Sequence, residues 1–278
     1  MRCALAGPDA HAVRAKNRTA YPIRVQIKVI ADVHGDLDVV RSEAASCDVL
    51  LLLGDLINVI DYSNATGILA DVYGSDAVRR WSVLRAEGKF DESRQVLREV
   101  SEGREREFRT ELFAKIDEAH KSFCVAIPTN VVVTYGNVDV PDLIRKYIPD
   151  GVRFVDGAAL TLDGARFGFI GGGLPKVGIP GEVSLDEYAR KVKALGPVDV
   201  VCAHVPPAVD DLTFDTAANL SEPGSDALLQ YIDEHAPTHV YFGHVHTPRS
   251  DQATIGGTLC VNVGSHYRTT GTAWEHAP

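Results

Sequence analysis

The sequence predicts an α/β protein whose functional groups collect at one edge of its sheet structure, and three observations carry that prediction. Five apolar, strand-like runs, Val25–Ala31, Val49–Leu53, Val131–Tyr135, Val198–Ala203 and His239–Phe242, are interleaved with segments of helical pattern. Each run ends in a short polar motif: Asp32-Val33-His34, Gly54-Asp55, Gly136-Asn137, His204 and Gly243-His244-Val245-His246. In open α/β sheets, ligands gather outside the carboxyl ends of the strands. One edge would therefore receive two aspartates, one asparagine and four histidines, an O/N set suited to divalent metals.

The elements follow in order. Val25–Ala31 leads through Gly35, which permits a tight turn, into a helix beginning near Leu37. Cys47–Leu53 is apolar throughout, as a strand covered on both faces should be, and completes a β-α-β opening. About eighty residues then separate Asp55 from Asn137, and this insertion, at about 62–126, is helical by pattern. Its first helix is Asp76–Glu87, with Ser75 as N-cap and Gly88 as the closing C′ residue. A second is Asp91–Val100. In the third, Glu105–Phe123, the residues Phe108, Leu112, Ile116, Ala119 and Phe123 recur at helical spacing. That stripe is either an ordinary packing face or a cap or dimerisation element beside the crevice. The run Glu102, Arg104, Glu105, Arg106, Glu107 reads as solvated helix surface.

Beyond Asn137, Val152–Val155, Ala158–Leu162 and Arg166–Ile170 are separated by Asp156-Gly157 and Asp163-Gly164, dipeptides that signal hairpins. Gly171-Gly172-Gly173-Leu174-Pro175 lacks the Lys-Ser/Thr ending of a phosphate-cradling loop and reads as a flexible strand exit. Thr258–Val263 is the final strand. Met1–Pro22 has no continuous apolar core of a signal peptide and is expected to be a flexible extension, leaving residues 23–278 as one domain.

Composition narrows the function. A net charge of −10 opposes sequence-independent binding to a nucleic-acid duplex, which needs Lys/Arg patches, but not a phosphorylated small substrate. No run approaches the roughly 18 apolar residues of a membrane span. The five cysteines, Cys3, Cys47, Cys124, Cys202 and Cys260, are scattered without C-x-x-C spacing, which fits a reduced, cytoplasmic protein.

The ordered set D-x-H, G-D, G-N, H, G-H-x-H resembles the calcineurin-like metallophosphoesterase superfamily, from about Val25 to about Arg268. The resemblance implies a four-layer αββα sandwich of two mixed β-sheets, with the helical segment inserted in it. It also implies two divalent metal ions (Mn, Fe, Zn or Ni), with Asp32, His34 and His246 on the first and Asn137, His204 and His244 on the second. Asp55 would bridge them, and a hydroxide between the metals would attack phosphorus in line. Asp55, Asn137, His204 and Asp139 are thus expected in catalysis, Asp139 by orienting a ligand, with a turn residue ahead of Pro141 as its alternative.

Two departures from the family's patterns shape the substrate expectation. Many relatives carry a histidine after the Gly-Asn pair that protonates the leaving oxygen, whereas Val138 stands here. The loop Gly54-Asp55-Leu56-Ile57-Asn58-Val59 lacks the arginine with which protein phosphatases grip a phosphomonoester. Both favour a phosphodiesterase acting on a small phosphoester over a phosphomonoesterase or nucleotide phosphatase, while the complete set of seven ligands argues against a binding scaffold such as the metallophosphoesterase-like retromer subunit. Asp36, Asn58, His266 and Arg268 are candidates for substrate contact, and the insertion is a candidate homo-oligomer interface. The remaining histidines, His11, His120, His235, His239 and His276, are expected to be structural or solvent-facing.

Overall fold

In the computed structural model, which describes residues 25–62 and 64–277, the apolar runs form two sheets packed face to face. The proposed extension over residues 1–22 lies outside the described residues. In chain order the elements begin with β1 (Ile27–Ile30), α1 (Leu37–Ala45) and β2 (Val49–Leu53), then the inserted α2 (Ile68–Tyr73), α3 (Ser75–Ala86), α4 (Phe90–Ser101) and α5 (Glu105–Cys124). They continue with β3 (Val131–Thr134), α6 (Pro141–Tyr147), β4 (Arg153–Phe154), β5 (Ala158–Leu162), β6 (Ala165–Ile170), α7 (Leu185–Ala194) and β7 (Val200–Ala203). Last come α8 (Asp210–Thr213), β8 (Phe214–Asp215), β9 (Leu220–Ser221), α9 (Asp226–His235), β10 (His239–Phe242), β11 (Gln252–Ile255), β12 (Thr258–Asn262), α10 (Val263–Thr270) and β13 (Trp274–Glu275).

The first sheet has the order β13-β1-β2-β3-β4 and the second β11-β12-β10-β7-β6-β5. Both are mixed. β1 to β4 run parallel with β13 antiparallel at the edge, while β6, β7, β10 and β12 run parallel between antiparallel β5 and β11. Side chains alternate across each strand, and that period of two builds three core layers. Val29, Leu51, Leu53 and Val132 of the first sheet meet Phe167, Phe169, Cys202, Tyr241 and Val261 of the second. Their neighbours Ile30, Leu50, Leu52 and Val133 face outward under helices, as do Val201, Ala203, Val240 and Phe242 on the other side. Continuous apolar strands therefore follow from helices covering both outer faces, the expected αββα sandwich.

The helical stripe of α5 is a packing face. Phe108, Ile116 and Phe123 are buried in the first sheet's outer core, and Leu112 and Ala119 pack against it. Several local expectations are corrected. Gly74, not Ser75, precedes α3, and no side chain caps that helix. Asp163-Gly164 does close the β5–β6 hairpin, but Asp156-Gly157 carries the chain from β4 in one sheet to β5 in the other. β4 pairs with β3 and β5 with β6, on different sheets, so the turn becomes a crossover. Gly171-Gly172-Gly173 is a tight packing surface, not a loose exit. Gly172 N–H donates to the Tyr135 carbonyl at 2.8 Å, and a Cβ at Gly171 or Gly173 would collide with Tyr135 or Asn137. The strand at Thr258 is not the last, since β13 returns to pair with β1. No helix among the described residues is long and apolar enough to cross a membrane.

Candidate metal centre

All seven candidate ligands sit at the carboxyl ends of parallel strands. Three strands, β1, β2 and β3, belong to one sheet and two, β7 and β10, to the other, so the ligands meet across the inter-sheet seam. Backbone bonds lock these exits together. Asp32 N–H donates to the Gly54 carbonyl at 3.1 Å, His34 N–H to the Asp55 carbonyl at 3.0 Å, and Gly243 N–H to the His204 carbonyl at 3.0 Å. Four of the seven hold the left-handed backbone region that L-residues seldom adopt: Asp32 (φ 56°), His34 (φ 44°), Asp55 (φ 52°) and His244 (φ 72°). Such strain persists only where the surroundings enforce it, and it concentrates at functional sites.

The side chains form two groups. Ligand atoms of Asp32, His34, Asp55 and His246 lie within 4.8 Å of one another. The Nε2 atoms of His34 and His246 face each other at 3.1 Å. In the second group, Asn137 Oδ1 is 3.0 Å from His204 Nε2 and 2.9 Å from His244 Nδ1. Asp55 belongs to the first group and its Oδ1 is 3.5 Å from His204 Nε2, which places this carboxylate between the two. His204 Nδ1 donates to the Leu53 carbonyl at 2.9 Å, turning Nε2 toward the crevice.

Electrostatics agree with a site built for cations. Burial pushes the Asp55 carboxyl up to about 6, with His204 and His34 opposing and the neighbouring Asp32 and Asp139 carboxylates reinforcing the rise. Burial would also raise Asp32, but the imidazoles of His204, His246 and His34 outweigh it and hold its carboxyl low. Loss of water holds the His244 imidazole down at about 3 and that of His246 at about 4, so both rings are unprotonated at neutral pH. For His204 burial works downward, yet the charges of Asp55 and Asp32 prevail and raise it. Two buried carboxylates and four convergent imidazoles are costly together without positive charge, and two divalent ions fit that donor set.

Asp139 is fully buried and does not face the crevice. Its Oδ1 accepts from Leu56 N–H at 2.9 Å and its Oδ2 from Gly136 N–H at 2.7 Å, so it clamps the Asp55 loop to the Asn137 loop. Asp139 thus stands behind the candidate ligands and holds the loops that carry two of them. His120 is also fully buried: Nδ1 donates to the Ile116 carbonyl at 2.8 Å and Nε2 accepts from Val140 N–H at 3.0 Å, tying α5 to the same loop.

Of the candidate substrate contacts, Asp36 caps α1 by accepting from Val39 N–H at 3.1 Å. Asn58 Oδ1 is buried. His266 packs edge-on against Trp274, centroids 4.9 Å apart. Arg268 is exposed, and its charge helps hold the His246 imidazole low. Spacing gave no sign of Glu222, whose Oε2 lies 3.7 Å from His244 Nε2 and pairs with Lys176. Glu222 follows β9 after a hairpin with no apolar run, so only the folded chain brings it there.

The sequence profile of the calcineurin-like phosphoesterases matches residues 25–248, and the chain belongs to that family. It is accordingly a metal-dependent phosphoesterase. Among solved structures, one crystal structure shares the fold at a TM-score of 0.54 and 14% identity, covering 91% of this chain and 99% of its own. TT1561 of Thermus thermophilus is 16% identical over 87% of this chain and 89% of its own, with a TM-score of 0.44. A conserved uncharacterised protein from Streptococcus pneumoniae, described as a predicted phosphoesterase, is 13% identical over 87% of this chain and 73% of its own, at 0.31. No curated protein matches the chain in sequence.

Proposed function

We propose that the protein hydrolyses phosphodiesters with good leaving groups. Asp32, His34 and His246 would hold one divalent ion, Asn137, His204 and His244 a second, and Asp55 both. When bound, the ions supply Lewis-acid charge to the phosphoryl oxygens and an activated water for in-line displacement. The chain's own residues set the frame for that reaction. Val138 N–H donates to Asp55 Oδ1 at 3.2 Å and steadies the shared carboxylate. The Leu53 carbonyl fixes the His204 ring, and Asp139 fixes the two loops.

The observation that carries the diester reading is Val138, whose side chain packs against the first sheet's outer core and can give no proton to a leaving oxygen. A general acid commonly contributes about 10²–10⁴ in rate. Without one, esters whose leaving groups depart as stable anions are favoured. Arg268 near His246 favours a second reading, a phosphomonoesterase, because a cation there would complement a dianion. The test is hydrolysis of a series of aryl methyl diesters and the matching aryl monoesters by metal-reconstituted protein. A steep fall in rate with rising leaving-group pKa, and diesters faster than monoesters, support the proposal. A flat series with chemistry rate-limiting, or faster monoesters, would overturn it, and no turnover at all would favour a binding scaffold.

A further inference from the structure

Beside the ligands, the insertion presents an aromatic pair that no ligand role employs. Tyr62 lies in the loop leaving Asp55, and its ring stacks on Trp81 of α3 with centroids 5.9 Å apart and planes 15° from parallel. Arg85, one turn further along α3, holds its guanidinium carbon 4.8 Å from the Trp81 ring centroid, a cation–π contact that stiffens the stack. Trp81 covers one ring face, and Tyr62 as a residue is still 53% exposed.

The phenol of Tyr62 lies within electrostatic reach of the carboxylates of Asp55 and Glu222. Loss of water there raises its pKa, Arg85 lowers it, and the carboxylates of Glu222 and Asp55 raise it further. Asp55 is the carboxylate between the two ligand groups, and Glu222 stands 3.7 Å from His244 Nε2. Lys176, bound to Glu222, adds a cation on this side. Tyr62 is thus within electrostatic reach of Asp55 and of Glu222, which stands beside His244, and Arg85 and the Glu222-bound Lys176 supply two cations to these groups.

We propose that Tyr62, backed by Trp81 and Arg85, is a stacking platform for a planar aromatic group of the substrate, so that the protein selects phosphoesters of nucleosides or aryl alcohols over aliphatic ones. The proposal rests on the hydrolytic reading above and deepens it by naming a substrate class. A flat ring backed by a second ring is the form in which proteins receive bases, since every base offers a π-face.

The test is calorimetric binding of three non-hydrolysable ligands to manganese-loaded protein: methylphosphonate, phenylphosphonate and the phosphonate analogue of AMP. Methylphosphonate and phenylphosphonate differ only in the ring. In the wild type the aromatic ligands should bind more tightly than methylphosphonate. Tyr62→Ala should weaken them by about 5- to 100-fold, the usual effect of losing one stacking partner, while methylphosphonate shifts far less. Tyr62→Phe should keep most of the aromatic preference. Loss confined to the AMP analogue assigns the platform to a nucleobase, and loss confined to phenylphosphonate assigns it to a small aryl group. Aromatic affinities unchanged in Tyr62→Ala, or no aromatic preference in the wild type, would overturn the proposal. Turnover of bis(p-nitrophenyl) phosphate by the same preparations reports on the hydrolytic reading separately, so a platform without turnover and turnover without a platform are distinct results.

Discussion

Removing the Asp139 carboxylate should loosen the metal centre without touching any group that meets substrate. Asp139 is fully buried, and its two oxygens accept the N–H groups of Leu56 and Gly136 at 2.9 and 2.7 Å. In Asp139→Ala both donors are stranded in the interior, at about 1–3 kcal/mol each. A total of about 3 kcal/mol corresponds to a melting temperature lower by about 5 °C for a chain of this size. The two freed loops carry Asp55 and Asn137, and loss of a group that orients ligands typically weakens metal affinity by about 10- to 100-fold. Asp139→Asn should lie between, because an amide keeps one acceptor and turns a donor against the other N–H. Melting of the chelated protein and manganese titration measure the two effects, and kcat at saturating manganese adds a third reading. A positioning role predicts that excess metal restores much of kcat. Unchanged melting and metal affinity would refute the clamp. A kcat that stays low at full metal occupancy would mean that Asp139 acts on the reacting atoms.

Further outcomes follow from the same geometry. A Cβ at Gly264 would run into the Asp32 carboxylate, so Gly264→Ala should lower metal content in elemental analysis while leaving far-ultraviolet circular dichroism near wild type; full occupancy would contradict the packing described. Acid should destabilise the metal-free protein. His246 and His244 are held at about 4 and about 3 against an ordinary 6.5, so the unfolded chain takes up their protons first. Their contribution is complete above pH 6.5 and is lost progressively as pH falls toward 4. Asp55, raised to about 6, acts in the opposite sense with a smaller shift than the two imidazoles combined. Chelated protein should melt lower at pH 4.5 than at pH 7, and a rise on acidification would contradict this assignment.

The strand-end clustering of the candidate ligands was legible because its signals are local. Each lies within four residues of the end of an apolar run, and strand-end placement needs no knowledge of how the sheets pack. The αββα layering came from the family resemblance, and the alternation of Leu50 and Leu52 against Leu51 and Leu53 shows its physical basis. What stayed hidden depends on distance along the chain. Asp139 meets Leu56 across 83 residues, and its carboxylate has the same turn-like context whether it clamps a loop or faces water. His120 sits on α5 beside the stripe that marks its packing face, and nothing in that spacing signals its bond to Val140. Asp156-Gly157 has the composition of a hairpin, and only the choice of sheet for β4 and β5 makes it a crossover. Glu222 and Tyr62 come within reach of the candidate ligands through a hairpin and an insertion whose placement no local pattern encodes.

The central claim is that seven side chains hold two ions with Asp55 between them. Anomalous diffraction from crystals of manganese-loaded protein, paired with elemental analysis of the same sample, tests it directly. The account predicts two manganese ions per chain, one against Asp32, His34 and His246, the other against Asn137, His204 and His244, with Asp55 bound to both. A single ion, or two ions with Asp55 bound to only one, would contradict it.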